Sequence, residues 1–245
     1  MHSPARIQVG TSGWLYDHWR GPFYPQDLPK RAFLEYYAER LAITEVNSFF
    51  YGLPKPETVA GWREAVPADF RFAVKASRYI THMKKLKDPA ASLERFWERA
   101  QLLGDQLGPV LFQLPPHWHV NAERLEAFLA ALPAGPQYTF EFRDPSWFDD
   151  AVYELLERHN AAFCIYELGE QASPRPVTAD FVYIRLHGPE AGYAGDYGEQ
   201  ALADWAERLR QWQAEGRSVY LFFDNDEAGY AAQDALRLSR LLNGE

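Results

Sequence analysis

The run Phe181-Val182-Tyr183-Ile184-Arg185-Leu186-His187 opens on apolar and aromatic residues and closes on two polar ones separated by Leu186. A short run of such residues, β-branched or aromatic in the main, reads as a strand buried on both faces, the kind found in parallel sheets. Side chains alternate along a strand, so Arg185 and His187 share one face and Leu186 takes the other. The stretch therefore reads as a core strand that ends in a polar pair.

Working outward, the same kind of run recurs at 6–10, 43–47, 70–76, 110–114, 138–143, 161–166 and 219–224, with helical patterns between. Eight strands alternating with helices define an α/β chain that closes into a (β/α)8 TIM-like barrel, and 245 residues is close to the ~250 of one such domain. The expectation is a single domain over residues 1–245, without a linker or repeat. The module between the sixth and seventh strands is thin. Glu167 to Asp180 is near the minimum of about a dozen residues for a parallel crossover, so its helix is expected to be short or missing.

Helix ends are marked by Asp88-Pro89, by Ser146-x-x-Asp149 read as a capping box, and by Gly216 after the helix from Glu199. Leu202, Trp205, Leu209 and Trp212 recur at helical spacing as a core-facing stripe. Helix-to-strand connections are brief, whereas 11–28, 77–87 and 188–198 are long strand-to-helix loops. Long loops thus gather at the C-terminal ends of the strands, the face on which barrel active sites are built.

A net charge of −9 opposes non-specific binding to nucleic acid or anionic membranes, so any phosphate recognition must be local. No apolar stretch is long enough to span a bilayer, and Met1 to Arg6 lacks the apolar segment of a signal peptide, which gives an expected cytoplasmic location. The one cysteine, Cys164, sits in an apolar run and reads as core filler.

The polar strand ends carry the functional reading. Glu45-x-Asn47, Glu141-x-Arg143, Arg185-x-His187 and Asp224-x-Asp226 each place two polar groups on one face, while Lys75 and Gln113 end the third and fourth strands. Glu45, Glu141, His187 and Asp226 are the candidate catalytic acids and bases. Asn47, Lys75, His82, Gln113, Arg143, Arg185, Trp14 and Asn225 are the candidate substrate-binding residues. Two arginines and a lysine among them favour an anionic ligand group. A structural ion-pair network and a structural histidine are the plain alternatives.

Aromatics after the first, fourth and fifth strands (Trp14, Tyr16, Trp19, Phe23, Tyr24, Trp118 and Trp147) either stack on a ligand or pack the loops onto the barrel. Arg78, His82, Lys84, Lys85 and Lys87 form a basic run, and 188–198 has the composition of a lid. His117-x-His119 and Gly10-Thr11-Ser12-Gly13 are weak metal and phosphate-loop signals; no metal is assigned, and the cofactor is left unspecified.

These residues lie in segments that resemble the YecE-like family, domain of unknown function 72. The segments are Val9–Trp14, Gly21–Pro25, Glu45–Tyr51, Phe72–Ala76, Ile80–His82, Leu111–Pro116, Glu141–Arg143, Tyr183–Gly188 and Phe223–Asp226. The resemblance covers nearly the whole chain and implies a TIM-like barrel with a polar pocket, without an assigned activity. A distant likeness of that family to barrel nucleases of the endonuclease IV type implies phosphodiester chemistry. This chain departs from the nucleases' histidine-rich metal cluster, since only His187 sits squarely on a strand end. It departs from the pattern of the YecE-like family at Asp224, where that family more often has asparagine.

The expected function is an enzyme with a strand-end pocket for a phosphate-bearing substrate, such as a nucleotide, nucleic-acid end or sugar phosphate. The alternatives are a non-catalytic barrel that binds nucleic acid or a partner through 77–87, and a metal-dependent sugar isomerase or hydrolase.

Overall fold

The computed structural model describes residues 5–190 and 192–244. Residues 1–4 of the leader reading and residue 191 of the expected lid lie outside the described residues. The strands are β1 (Ile7–Ser12), β2 (Ile43–Val46), β3 (Arg71–Lys75), β4 (Leu107–Gln113), β5 (Tyr138–Glu141), β6 (Ala162–Leu168), β7 (Gln171–Ala172), β8 (Phe181–Leu186) and β9 (Ser218–Phe223). Around them lie α1 (Phe33–Ala38), α2 (Ser48–Tyr51), α3 (Pro56–Glu64), α4 (Pro89–Ala100), α5 (Ala122–Ala131), α6 (Asp150–Arg158), α7 (Gly198–Ala214) and α8 (Tyr230–Asn243).

All strands but β7 are parallel, and the order β5-β4-β3-β2-β1-β9-β8-β6 closes on itself where Thr139 and Phe140 of β5 meet Ala162 and Phe163 of β6. The chain is a closed eight-stranded parallel barrel with helices outside it, a TIM-like (β/α)8 fold. Each expected strand is present, with neither end displaced by more than three residues.

The sixth module has no helix. β7 turns back antiparallel on β6 through Glu167↔Ala172 and Leu168↔Gln171. The returning chain then satisfies β6 backbone with side chains: Phe163 N–H donates to Thr178 Oγ1 at 2.8 Å, and Tyr166 N–H to Ser173 Oγ at 2.9 Å. Hydroxyls thereby do for these N–H groups what the backbone of a neighbouring strand does elsewhere.

Two of the expected helix ends differ in detail. Asp88 is a left-handed residue (φ 47°) without a capping hydrogen bond, although Pro89 does open α4. α6 is capped by Asp149 itself, which accepts from Ala151 N–H, whereas Ser146 belongs to the preceding turn and bonds Asp144. The capping box fails because a separate turn at Pro145–Trp147 intervenes.

Alternation divides the core into two layers. Outward residues such as Val46, Val74, Phe112 and Leu186 pack under the helices. The barrel interior holds Ile43, Ala73, Leu111, Ala162, Cys164, Phe181, Tyr183 and Phe222. Glu45, Lys75, Gln113 and Arg185 each lie two residues beyond one of these, and Glu141 two beyond the buried Thr139, so the same face carries them up to the mouth. Gly10 is required on this face, since a Cβ there would stand 2.1 Å from the Ile43 carbonyl oxygen of β2.

Candidate functional site at the mouth of the barrel

Arg185 stands at the centre of the mouth and is 1% exposed. Its Nε and Nη2 donate to the two oxygens of Glu45 at 3.1 and 2.8 Å, and Nη1 to Glu141 Oε2 at 2.9 Å. Nη2 also reaches Ser12 Oγ at 3.1 Å and Asp224 Oδ2 at 3.0 Å, while Nη1 lies 3.4 Å from His187 Nε2. A guanidinium has five N–H donors, and these contacts employ its full set of directions. Arg185 therefore holds the mouth together; it does not offer a fork to a ligand.

The carboxylates below it are committed in turn. Glu45 also accepts from Ser12 Oγ and from the Tyr183 hydroxyl, both at 2.6 Å, and Glu141 accepts from Arg143 Nε. Glu45 and Glu141 are fully buried. Burial alone pushes the Glu141 carboxyl up, but Arg143 and Arg185 outweigh it and hold the group far below the usual carboxylate range.

Towards solvent lies a second tier. His187 Nδ1 is 2.9 Å from Asp224 Oδ2, and His187 Nε2 is 2.9 Å from Arg143 Nη2. Burial, with Arg185 adding to it, lowers the His187 pKa against the opposing pull of Asp224. Asp224 feels burial too, but Arg185 and the His187 hydrogen bond keep it below its ordinary value. Counted together, Glu45, Glu141 and Asp224 face Arg185, Arg143 and Lys75, with His187 neutral, so the cluster balances in charge.

The rim is less committed. Arg143 is 11% exposed at its side chain and lies over the Tyr166 ring at 4.6 Å; its Nη1 makes no hydrogen bond among the described residues. Lys75 has its Nζ 4.5 Å from the centroid of the Phe50 ring and, among the described residues, neither an ion pair nor a hydrogen bond. Burial and then Arg185 lower its pKa. Asn47 follows β2 directly, as the N-cap of α2, and its Oδ1 is buried without a hydrogen-bond partner among the described residues. Gln113 ends β4 beside Glu141 in register. His82 meets the Phe50 ring edge-on at 5.1 Å, with burial and Lys75 depressing its pKa.

Three sequence candidates stand elsewhere. Trp14 is turned out of the mouth by the Gly13 turn (φ 98°) and packs against Trp62 and Phe72, with ring centroids at 5.6 and 6.2 Å. Asn225 points behind β9, where its Nδ2 donates to Gly195 O at 2.9 Å and Asp234 Oδ2 at 2.7 Å. Asp226 is tied to the first loop by Trp19 Nε1 and by His18, 3.3 Å away; burial raises its pKa despite both. The other loop aromatics are likewise buried, Trp19 and Trp147 completely, except Tyr16, which is partly buried.

Asp224 occupies the place that the sequence reading gave to Asp226. β9 ends at Phe223, and the turn after it breaks the alternation that would carry Asp226 inward. Counting two residues on from the interior Phe222 does find Asp224. Ser12 and Tyr183, the hydroxyl donors to Glu45, were also missed, and both fall on that inward period.

A divalent metal held by the acidic strand ends would need their oxygens to converge on open space. Here three carboxylates converge on the Arg185 guanidinium, and the described residues contain no His/Cys/Asp/Glu group arranged for a metal. His117 and His119 are both exposed.

With this geometry in place, comparison with known proteins decides the family. The model described as "Protein of unknown function DUF72" matches residues 8–245. The chain belongs to the DUF72 family. Bacillus subtilis (strain 168) UPF0759 protein YunF is 26% identical over 98% of this chain and 95% of its own length. Escherichia coli (strain K12) UPF0759 protein YecE is 35% identical over 47% of this chain and 43% of its own. A DUF72 family protein from Thermotoga maritima MSB8 superposes with a TM-score of 0.88 at 28% identity, covering 97% of this chain and 99% of that one. One from Enterococcus faecalis V583, at 22% identity and TM-score 0.80, shares the fold. In this DUF72 chain no described helix is long and apolar enough to cross a membrane.

Proposed function

We propose that the chain is an enzyme acting on a small phosphate-bearing substrate, with the anion received at the rim between Arg143 and Lys75. The observation that carries this reading is the contrast among three neighbouring cations. Arg185 directs its donors at protein acceptors, while Arg143 Nη1 and Lys75 Nζ have none among the described residues. A planar fork and a point charge at the C-terminal ends of barrel strands suit phosphate or carboxylate.

Proton handling falls to Asp224 and His187 at the rim, with Glu45 and Glu141 acting through Arg185 to fix its position. Asp224 Oδ2 is engaged by Arg185 and His187, which leaves Oδ1 as the carboxylate oxygen for a substrate proton or a water. Phosphate-ester cleavage is the reaction class this set fits, with Arg143 stabilising the charge that develops on the phosphoryl oxygens.

The test is a thermal shift with inorganic phosphate and a panel of phosphate monoesters. The reading expects stabilisation by the anion that is lost in Arg143→Gln. Equal shifts in both proteins, or none in either, would overturn it.

A second reading has its own support. Exposed Leu15, Tyr51, Tyr79, Met83, Val120 and Tyr193 all lie in segments that follow strands at the mouth end, Tyr51 at the end of α2 and Tyr79 and Met83 in a helical turn after β3. An apolar rim beside Lys84, Lys85 and Lys87 fits a barrel that binds a polyanionic partner. Affinity that falls steeply with salt, and vanishes when these lysines are neutralised, would favour it.

A further inference from the structure

We infer that Tyr193 is a specificity-determining residue of the mouth, offering its ring as a stacking surface to the aromatic group of an aryl phosphate. The phosphate half of this ligand rests on the anion site proposed above; the preference for an aromatic ring does not.

His187 meets two tyrosines. Tyr166, two residues beyond the interior Cys164 on β6, is buried; the Arg143 guanidinium lies over its ring at 4.6 Å, and its centroid is 6.4 Å from that of the imidazole. Tyr193, in the loop after β8, stands perpendicular to the same imidazole at 5.0 Å and is 42% exposed. His187 Nε2 is in turn 2.9 Å from Arg143 Nη2. An accessible aromatic ring therefore lies one side chain away from the guanidinium whose Nη1 is open.

The backbone holds Tyr193 in this place against its own preference. Its φ is 66°, in the left-handed region that bulky residues avoid, whereas Gly192 and Gly195 on either side of it take positive φ freely. Strain of this kind persists only where the surrounding structure imposes it. Glu190 and Ala194 pair across the loop, with Glu190 N–H donating to Ala194 O at 3.2 Å, and a Cβ at Gly188 would stand 2.2 Å from that same oxygen. Behind β9, Asn225 Nδ2 donates to Gly195 O at 2.9 Å and to the buried Asp234 at 2.7 Å, and Asp234 also accepts from Tyr197 N–H at 3.3 Å. Asn225 thus tethers the loop that presents Tyr193.

A tyrosine kept only to cover His187 would be turned inward, as Tyr166 is. Tyr193 is instead held in a strained conformation with much of its ring in solvent, next to a cation with a donor to spare. Rings packed on rings gain more than the area they bury, and a tyrosine face accepts any flat π-system. In an aryl phosphate a single ester oxygen separates phosphorus from ring, which matches the adjacency of Arg143 and Tyr193.

The test is titration calorimetry on the full chain with benzylphosphonate and, separately, cyclohexylmethylphosphonate, which resist hydrolysis and differ in the aromaticity of the ring. The proposal expects benzylphosphonate to bind about fivefold or more tightly than its saturated partner. That ratio should fall to about one in Tyr193→Ala and be kept in Tyr193→Phe. Equal affinities in the natural chain, or a preference that persists in Tyr193→Ala, would overturn the inference, and would leave the anion site standing where Arg143→Gln weakens both ligands. A preference that depends on Tyr193 while Arg143→Gln binds both ligands undiminished would uphold the stacking surface and remove the anion site. Binding of neither ligand would overturn both.

Discussion

Arg143 Nη2 lies 2.9 Å from His187 Nε2, and a guanidinium has no lone pair to offer. The histidine nitrogen is therefore the acceptor, its proton sits on Nδ1, and that proton is donated to Asp224 Oδ2 at 2.9 Å. One contact thus fixes a neutral imidazole and its tautomer. It also means that His187 can take a proton on Nε2 only once Arg143 turns away from it, as it would on engaging an anion.

The sign of the resulting pH dependence follows. A histidine whose folded-state pKa is depressed binds fewer protons folded than unfolded, so it contributes stability that is lost as pH falls through the unfolded value of about 6.5. Melting temperature should drop more steeply from pH 7 to 5 in the natural chain than in His187→Gln. Parallel curves would contradict the assignment.

Arg185 should be the most costly of the mouth side chains to remove. Arg185→Met leaves Glu45, Glu141 and Asp224 crowded without their shared cation, and a loss of about 3–5 kcal/mol in chemical denaturation is expected. Arg185→Lys should recover little of this, since one ammonium cannot reproduce the paired contacts to Glu45.

Asp224→Asn keeps an acceptor for His187 and removes one negative charge from the rim. Affinity for inorganic phosphate in titration calorimetry should rise about fivefold or more, because a unit charge a few ångströms away is worth on the order of 1 kcal/mol even at the dielectric constant of bulk water and more at a protein surface. Weaker binding would place Asp224 among the ligand's own contacts.

Trp14 separates packing from recognition. Buried between Trp62 and Phe72, it should cost about 3–5 kcal/mol when replaced by alanine, while Trp14→Phe should retain the phosphate-dependent thermal shift of the natural chain. Loss of that shift in a folded Trp14→Phe would return the residue to the mouth.

The barrel was legible because its strands are buried on both faces and announce themselves as apolar runs; the period of two then brought Glu45, Lys75, Glu141, Arg143, Arg185 and His187 to one place. Alternation holds only while a strand lasts. It fails at Gly13, which sends Trp14 outward, and after Phe223, where the turn substitutes Asp224 for Asp226 and buries Asn225 behind the strand. Which cations stay free was not legible at all. Arg185 and Arg143 look alike in sequence, and only the coordinates show that the first meets three carboxylates and the second keeps Nη1 open.

A crystal structure of the protein soaked in phosphate, or in the heavier tungstate, tests the anion site most directly. Density bonded to Arg143 Nη1 and reaching towards Lys75, with Arg185 still clasped by Glu45, Glu141 and Asp224, is the expected result. An anion bound only elsewhere, or one that displaces Arg185 from Glu45, would contradict it.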